Sequence, residues 1–153
     1  HVLHTDRILS AVASNADLSS MLKQKGVNSI SYQGPSAIHS SIHSEALKRN
    51  IVCMSLWCHC PYYLQGTTHF GILAHLGKML AAIGEFELNI EDLETSWEKL
   101  NIQIENLIEN NTELQAVINE LRKAKVRGAA AKMTGAIKSD EKIINIQDFL
   151  QPK

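Results

Sequence analysis

Residues 27–57, VNSISYQGPSAIHSSIHSEALKRNIVCMSLW, decide how this chain folds. Val27–Gln33 suits an extended strand and breaks at Gly34. Pro35 takes a favoured first helical position, where its missing N–H would have no intrahelical partner anyway. The helix follows through Ile38, Ile42, Ala46 and Leu47 to about Asn50. Its spacing marks Ile38 and Ile42 as the buried face, with His39 and His43 one residue round on a partly exposed flank. Residues 51–57 are apolar almost without alternation, the pattern of a central strand covered on both faces. Strand, helix and strand within about 30 residues make a crossover unit. That predicts Val27–Gln33 and Ile51–His59 as parallel neighbours, with the Pro35–Arg49 helix packed across them.

Outward from this stretch, Arg7–Ala13 reads as a short strand. Asn15 or Ser14 caps a helix through Leu18, Met21 and Leu22, which Gly26 stops. Leu64–Thr68 is loop, and residues 70–83 form a helix with Ile72, Leu73, Leu76, Met79, Leu80 and Ile83 on one face and Gly84 at its end. From Leu93 to Leu121 apolar residues recur in a seven-residue rhythm. One reading is a continuous coiled coil with Asn111 fixing its register. The preferred one is two helices broken at Asn110-Asn111, where Asn110 and Glu113 resemble a capping box. The expected fold is α/β: a partial three-layer α/β/α sandwich with a parallel βαβ unit, followed by a C-terminal helical hairpin. Residues 1–126 form the domain, and 127–153 a flexible basic linker and tail.

With 153 residues and 44% hydrophobic content, one domain with a real core is expected. A formal net charge of −1 gives no basic field for nucleic acid. Charge is nevertheless segregated. Residues 85–120 hold ten acidic side chains against Lys99, and 122–142 hold seven basic ones against Asp140 and Glu141. No run of about 18 apolar residues offers a membrane span. Cys53, Cys58 and Cys60 fall close together on one extended segment, where they cannot easily bridge one another, and this suits a reducing cytoplasm. Cys58-His59-Cys60 alternates across a strand, so its side chains do not converge on one metal ion, and no metal is expected. The chain opens with His1, as a processed or trimmed protein or a fragment would.

Loops at the carboxyl ends of parallel strands are where open α/β sheets hold ligands. Two stand out: Tyr32–Ser36 and His59–Leu64. With parallel strands they would share a rim, making Tyr32, Gly34, Pro35, Ser36, His59, Tyr62 and Tyr63 the candidate ligand or partner residues. Neither a Walker loop nor G-x-G-x-x-G is present. His39 and His43 have metal-capable spacing but lack the glutamate of H-E-x-x-H. Ser36, Ser40 and Cys58 are potential nucleophiles, with His39, His43 or His59 as potential bases, yet nothing adds an orienting carboxylate. Between Ile8 and Phe70 the only acids are Asp17 and Glu45, a poor supply for holding magnesium. Trp57, Tyr62 and Tyr63 make an aromatic cluster, as anchor or as core. In the tail, Ile146, Phe149 and Leu150 have the spacing of a short docking peptide, resembling a sliding-clamp-binding box without its leading glutamine.

Tyr32-x-Gly34-Pro35, Ser55-Leu56-Trp57 and Pro61-Tyr62-Tyr63 together resemble the proteasome assembly chaperone 2-like family. The resemblance runs from Thr5 to Lys125 and is strongest from Tyr32 to Leu64. Tyr62 departs from it, standing where the family pattern has histidine. Bacterial and archaeal members often bear an ATP-grasp or carboxylate–amine ligase label. The resemblance implies an α/β/α sandwich of the nucleoside-phosphorylase type, of which this chain is the later half or a short form. It also implies protein binding, since eukaryotic relatives escort proteasome α subunits and archaeal ones resemble homo-oligomeric chaperones. The end of the chain, Leu150-Gln151-Pro152-Lys153, lacks the hydrophobic–Tyr–any tail of some assembly chaperones. The expectation is a cytoplasmic, non-enzymatic chaperone or scaffold without cofactor. It binds a protein partner, forms homo-oligomers and touches neither nucleic acid nor membrane. The rival is an ATP-dependent ligase or phosphorylase-like enzyme using the Tyr32–Ser36 and His59–Tyr63 rim.

Overall fold

The structure is a computed structural model that describes residues 2–30 and 38–131, with side chains as far as Arg127. The chain is mixed α/β, with five helices and a three-stranded sheet containing a parallel pair among the described residues. It divides into two compact units: Ile8–His59, and His1–Arg7 together with the chain from Cys60 onward.

In the sheet unit, β1 (Ile8–Ala13) leads through Asn15 into α1 (Ala16–Gln24). Asn15 Oδ1 accepts the Leu18 N–H at 2.8 Å, closing one of the donors a helix start leaves open. Past α1, Gly26 takes a left-handed φ of 81°, a conformation that glycine adopts at no steric cost. The chain then enters β2 (Asn28–Ser29), parallel to β1 with Ser10 opposite Asn28 and Ala11 opposite Ser29. So the parallel βαβ unit exists, but as β1–α1–β2, one element earlier than the sequence suggested.

The predicted pairing of the Val27–Gln33 and Ile51–His59 strands is not found. After α2 (Ile38–Lys48), β3 (Met54–His59) runs antiparallel to β1 over all six residues, from Ile8 opposite His59 to Ala13 opposite Met54. The strand order is β2-β1-β3, which leaves β2 and β3 apart on either side of β1. The handedness rule holds only for strands that end parallel in one sheet, and a six-residue antiparallel ladder satisfies more of the β3 backbone than a two-residue β2 edge offers. The apolar run is therefore not a doubly covered central strand. Ile51 and Val52 lie outside the strand and are exposed, and β3 itself is largely half-buried. The central place belongs to β1, where Leu9, Ser10 and Ala11 are buried.

The face of α2 is also the reverse of the one expected. Ile38 is 73% exposed and Ile42 55%, while Ala46 is buried and the histidine side turns to β3. A stripe set by two isoleucines loses to one in which imidazoles meet strand hydroxyls and the Trp57 ring.

The helical unit contains a short 3-10 turn (Tyr62–Leu64), α3 (Phe70–Gly84), α4 (Glu91–Asn110) and α5 (Thr112–Ala131). His69 caps α3, its Nδ1 accepting the Ile72 N–H at 3.3 Å. Within α3, Ile72, Ala74 and Met79 are buried, whereas Leu73 and Leu80 of the predicted face are exposed. Gly71 sits so close to α4 that a Cβ there would lie 2.7 Å from the Trp97 ring. That contact draws the buried stripe towards the glycine side. The break between α4 and α5 falls at Asn110-Asn111 as expected, but the capping residue is Asn111, not Asn110: Asn111 Oδ1 accepts the Leu114 N–H at 3.0 Å, with extended backbone at φ −131°. Ile104 and Ile108 of α4 then share one core with Leu114, Ile118 and Leu121 of α5. α5 continues to Ala131, into the stretch read as linker.

Tyr63 is the centre of this unit. It is wholly buried and packs with Leu64, Ile104 and the α5 leucines. Its hydroxyl accepts the His4 N–H at 2.7 Å and lies 2.9 Å from His4 Nδ1, so the polar tip of a core aromatic is satisfied. Burial pushes the Tyr63 hydroxyl above its ordinary pKa. His4 Nε2 in turn meets Glu105 at 2.9 Å.

Candidate functional site

The candidate rim is only partly within reach of the structure. Tyr32, Gly34, Pro35 and Ser36 lie outside the described residues, as do Ile146, Phe149 and Leu150 of the tail. His59 ends β3 and bonds Ser10 Oγ through Nε2 at 2.6 Å. Tyr62 meets Tyr63 edge to face, with centroids 5.9 Å apart. Tyr63 is a core residue, and no side-chain surface of it is left for a ligand. Within the sheet unit Trp57 meets the His39 ring, with centroids 5.8 Å apart and planes at 47°.

What the sheet unit holds instead is an open cleft of about 560 Å³ between α2 and the strand ends. Its floor comes from the close of β1 (Ala13, Ser14), the residue after β2 (Ile30) and β3 (Ser55, Trp57). Antiparallel β3 explains the location: β1 and β2 end where β3 begins, so the connection through α2 starts and finishes at the same end of the sheet. α2 supplies the opposite wall with His39, Ser40, His43 and Ser44.

His43 is fixed from both sides. Nε2 lies 2.9 Å from Ser55 Oγ, and Nδ1 3.5 Å from Cys53 Sγ. Cys53 N–H donates to Ser14 Oγ at 3.0 Å, which ties the start of β3 to the end of β1. The i, i+4 spacing of His39 and His43 thus serves a wall facing Trp57 and Ser55. Sequence reading did not find the Ser55–His43 contact, since those residues sit on different elements whose alternate faces only the register settles. Hydroxyl and imidazole here resemble a nucleophile and base, but a thiol stands where an orienting carboxylate would. Among the described residues no Asp, Glu, Lys or Arg lines the cleft. No group of three His, Cys, Asp or Glu side chains gathers to hold a metal among them either. No helix of the described residues is long and apolar enough to cross a membrane.

A family model described as the PAC2 family matches residues 1–108, covering the whole sheet unit and the helical chain through most of α4. No curated protein and no solved structure matches the chain.

Proposed function

This chain belongs to the PAC2 family, and on that premise we propose that it is a non-enzymatic protein-binding protein, an assembly chaperone or scaffold. It acts in the cytoplasm as a homo-oligomer that holds a protein partner. The family match over residues 1–108 is the observation that carries this reading. Surface chemistry supports it. Ile38 and Ile42 lie one turn apart on α2 and present aliphatic surface outward, and Ile51 and Val52 add to the exposed apolar surface of the same unit. Covering such surface with a partner recovers roughly 25 cal/mol per Å² of apolar area.

Affinity capture from native lysate, repeated with purified candidate partner, tests the proposal. A partner should be retained by the natural chain and lost with Ile42→Asp, while light scattering at micromolar concentration reports a mass above that of one 17.0 kDa chain. Steady ATP turnover, or equal capture by the Ile42 variant together with a monomeric mass, would overturn it.

A further inference from the structure

We propose that the cleft of the sheet unit binds a small uncharged planar molecule, a heteroaromatic ring with amide-like hydrogen-bonding groups. The ring stacks at the Trp57–His39 corner and its polar edge meets the α2 serines. This goes beyond the protein-binding reading and does not depend on it, because the exposed Ile38–Ile42 stripe and the histidine wall are different sides of α2.

Four observations converge. The cleft lies beyond the carboxyl ends of the parallel strands β1 and β2, the position at which open α/β sheets take ligands. Its volume of about 560 Å³ fits a small molecule and is too confined for a folded partner. The described lining has no charged side chain, so a phosphate-rich or carboxylate ligand would enter without a counter-charge and lose its hydration. Finally, the walls carry aromatic rings. Trp57 and the exposed His39 stand 5.8 Å apart and tilted at 47°, and both ring nitrogens of His43 are engaged. A flat ring gains stacking at that corner, and the anchored His43 has little rotamer freedom left to lose. Ser40 and Ser44 supply hydroxyls that donate and accept, which suits a neutral amide edge.

The test uses the full chain at pH 8, with nicotinamide and indole-3-carboxamide as probes and the corresponding carboxylates, nicotinate and indole-3-carboxylate, as matched anions. Proton–nitrogen NMR follows the two indole N–H signals separately. At least one amide should shift the Trp57 signal saturably and leave Trp97 in place, with its carboxylate at least fivefold weaker. Ser44→Trp, a substitution at an exposed position that fills the cleft, should abolish the shift, and His39→Ala should weaken it at least fivefold. Ile42→Asp should leave it unchanged. The proposal is overturned if neither amide saturates, if the carboxylates bind as well, or if both indoles respond alike. Retained binding in a folded Ser44→Trp chain overturns it too. A natural chain that binds the amide but captures no partner would count against the protein-binding reading alone.

Discussion

The two units solve the same problem with opposite means. The helical unit gathers Tyr63, Ile104, Leu114 and Ile118, all essentially inaccessible, around one core and satisfies its central hydroxyl through His4. The sheet unit buries smaller side chains, Leu9, Ala11, Leu22, Val27 and Ala46, and leaves Ile38, Ile42, Ile51 and Val52 in solvent. Both units leave large apolar side chains in solvent, Leu73, Phe86 and Ile102 among them in the helical one, but the large closed core belongs to the helices and the polar cleft to the strands. The difference teaches that burial of large side chains and the open cleft lie in different units of the chain.

The comparison breaks first if the helical core is not the main source of stability. Ile104→Ala should cost about 2–5 kcal/mol in urea unfolding, the usual range for emptying a closed aliphatic site. A cost as small as that of a surface change would show that the cluster is loosely packed. Next, Gly71→Ala forces a methyl towards the Trp97 ring and should cost about 1–3 kcal/mol, whereas an exposed helical glycine would gain from alanine. Asn111→Ala removes the α5 cap and should cost about 1 kcal/mol, with Asn111→Asp close to neutral.

A smaller effect is pH-dependent. Burial lowers the pKa of His69, which stacks on Trp97 with centroids 4.5 Å apart. The folded chain then binds the proton less readily than the unfolded chain, so stability is full above the ordinary histidine value of about 6.5 and falls as pH drops below it. His69→Asn keeps a capping acceptor without a titrating ring, and should reduce the fall of the urea midpoint between pH 7 and pH 5, leaving the share of His75, whose pKa burial also lowers. An unchanged slope would assign that pH dependence elsewhere. Smallest of all, Ile42→Ser on the sheet unit should change stability by less than about 0.5 kcal/mol, because its side chain is already 55% exposed. A loss above about 2 kcal/mol there would erase the contrast between the units.

Much of the fold was legible in local signals. The β1 strand, the Asn15 cap, the Gly26 stop and the break in the long apolar rhythm all follow from residues close in sequence. The parallel unit was legible as a pattern and misplaced by one element, since strand–helix–strand spacing does not say which strand a returning segment joins. The α2 face was misread because Ile38 and Ile42 outweigh histidines on any hydropathy pattern, while the contacts to Ser55, Cys53 and Trp57 are set by tertiary register. Tyr63 looked like a rim residue for the same reason: nothing near it in sequence announces His4, 59 residues away. Of the site proposed from the loops, only His59 and the two tyrosines fall within the described residues, and the cleft drew on His39 and His43 instead.

The one-residue break at Asn111 has a consequence for the order of events in folding. Ile108 and Leu114 meet across a connection so short that little loop-closure entropy is lost, whereas His4 joins Glu105 over 101 residues. Contacts of such different sequence separation form at different times, and α4 and α5 should zip together well before the first residues of the chain reach Tyr63. Pulsed hydrogen exchange during refolding should therefore protect amides around Ile108 and Ile118 early, and the His4 amide last.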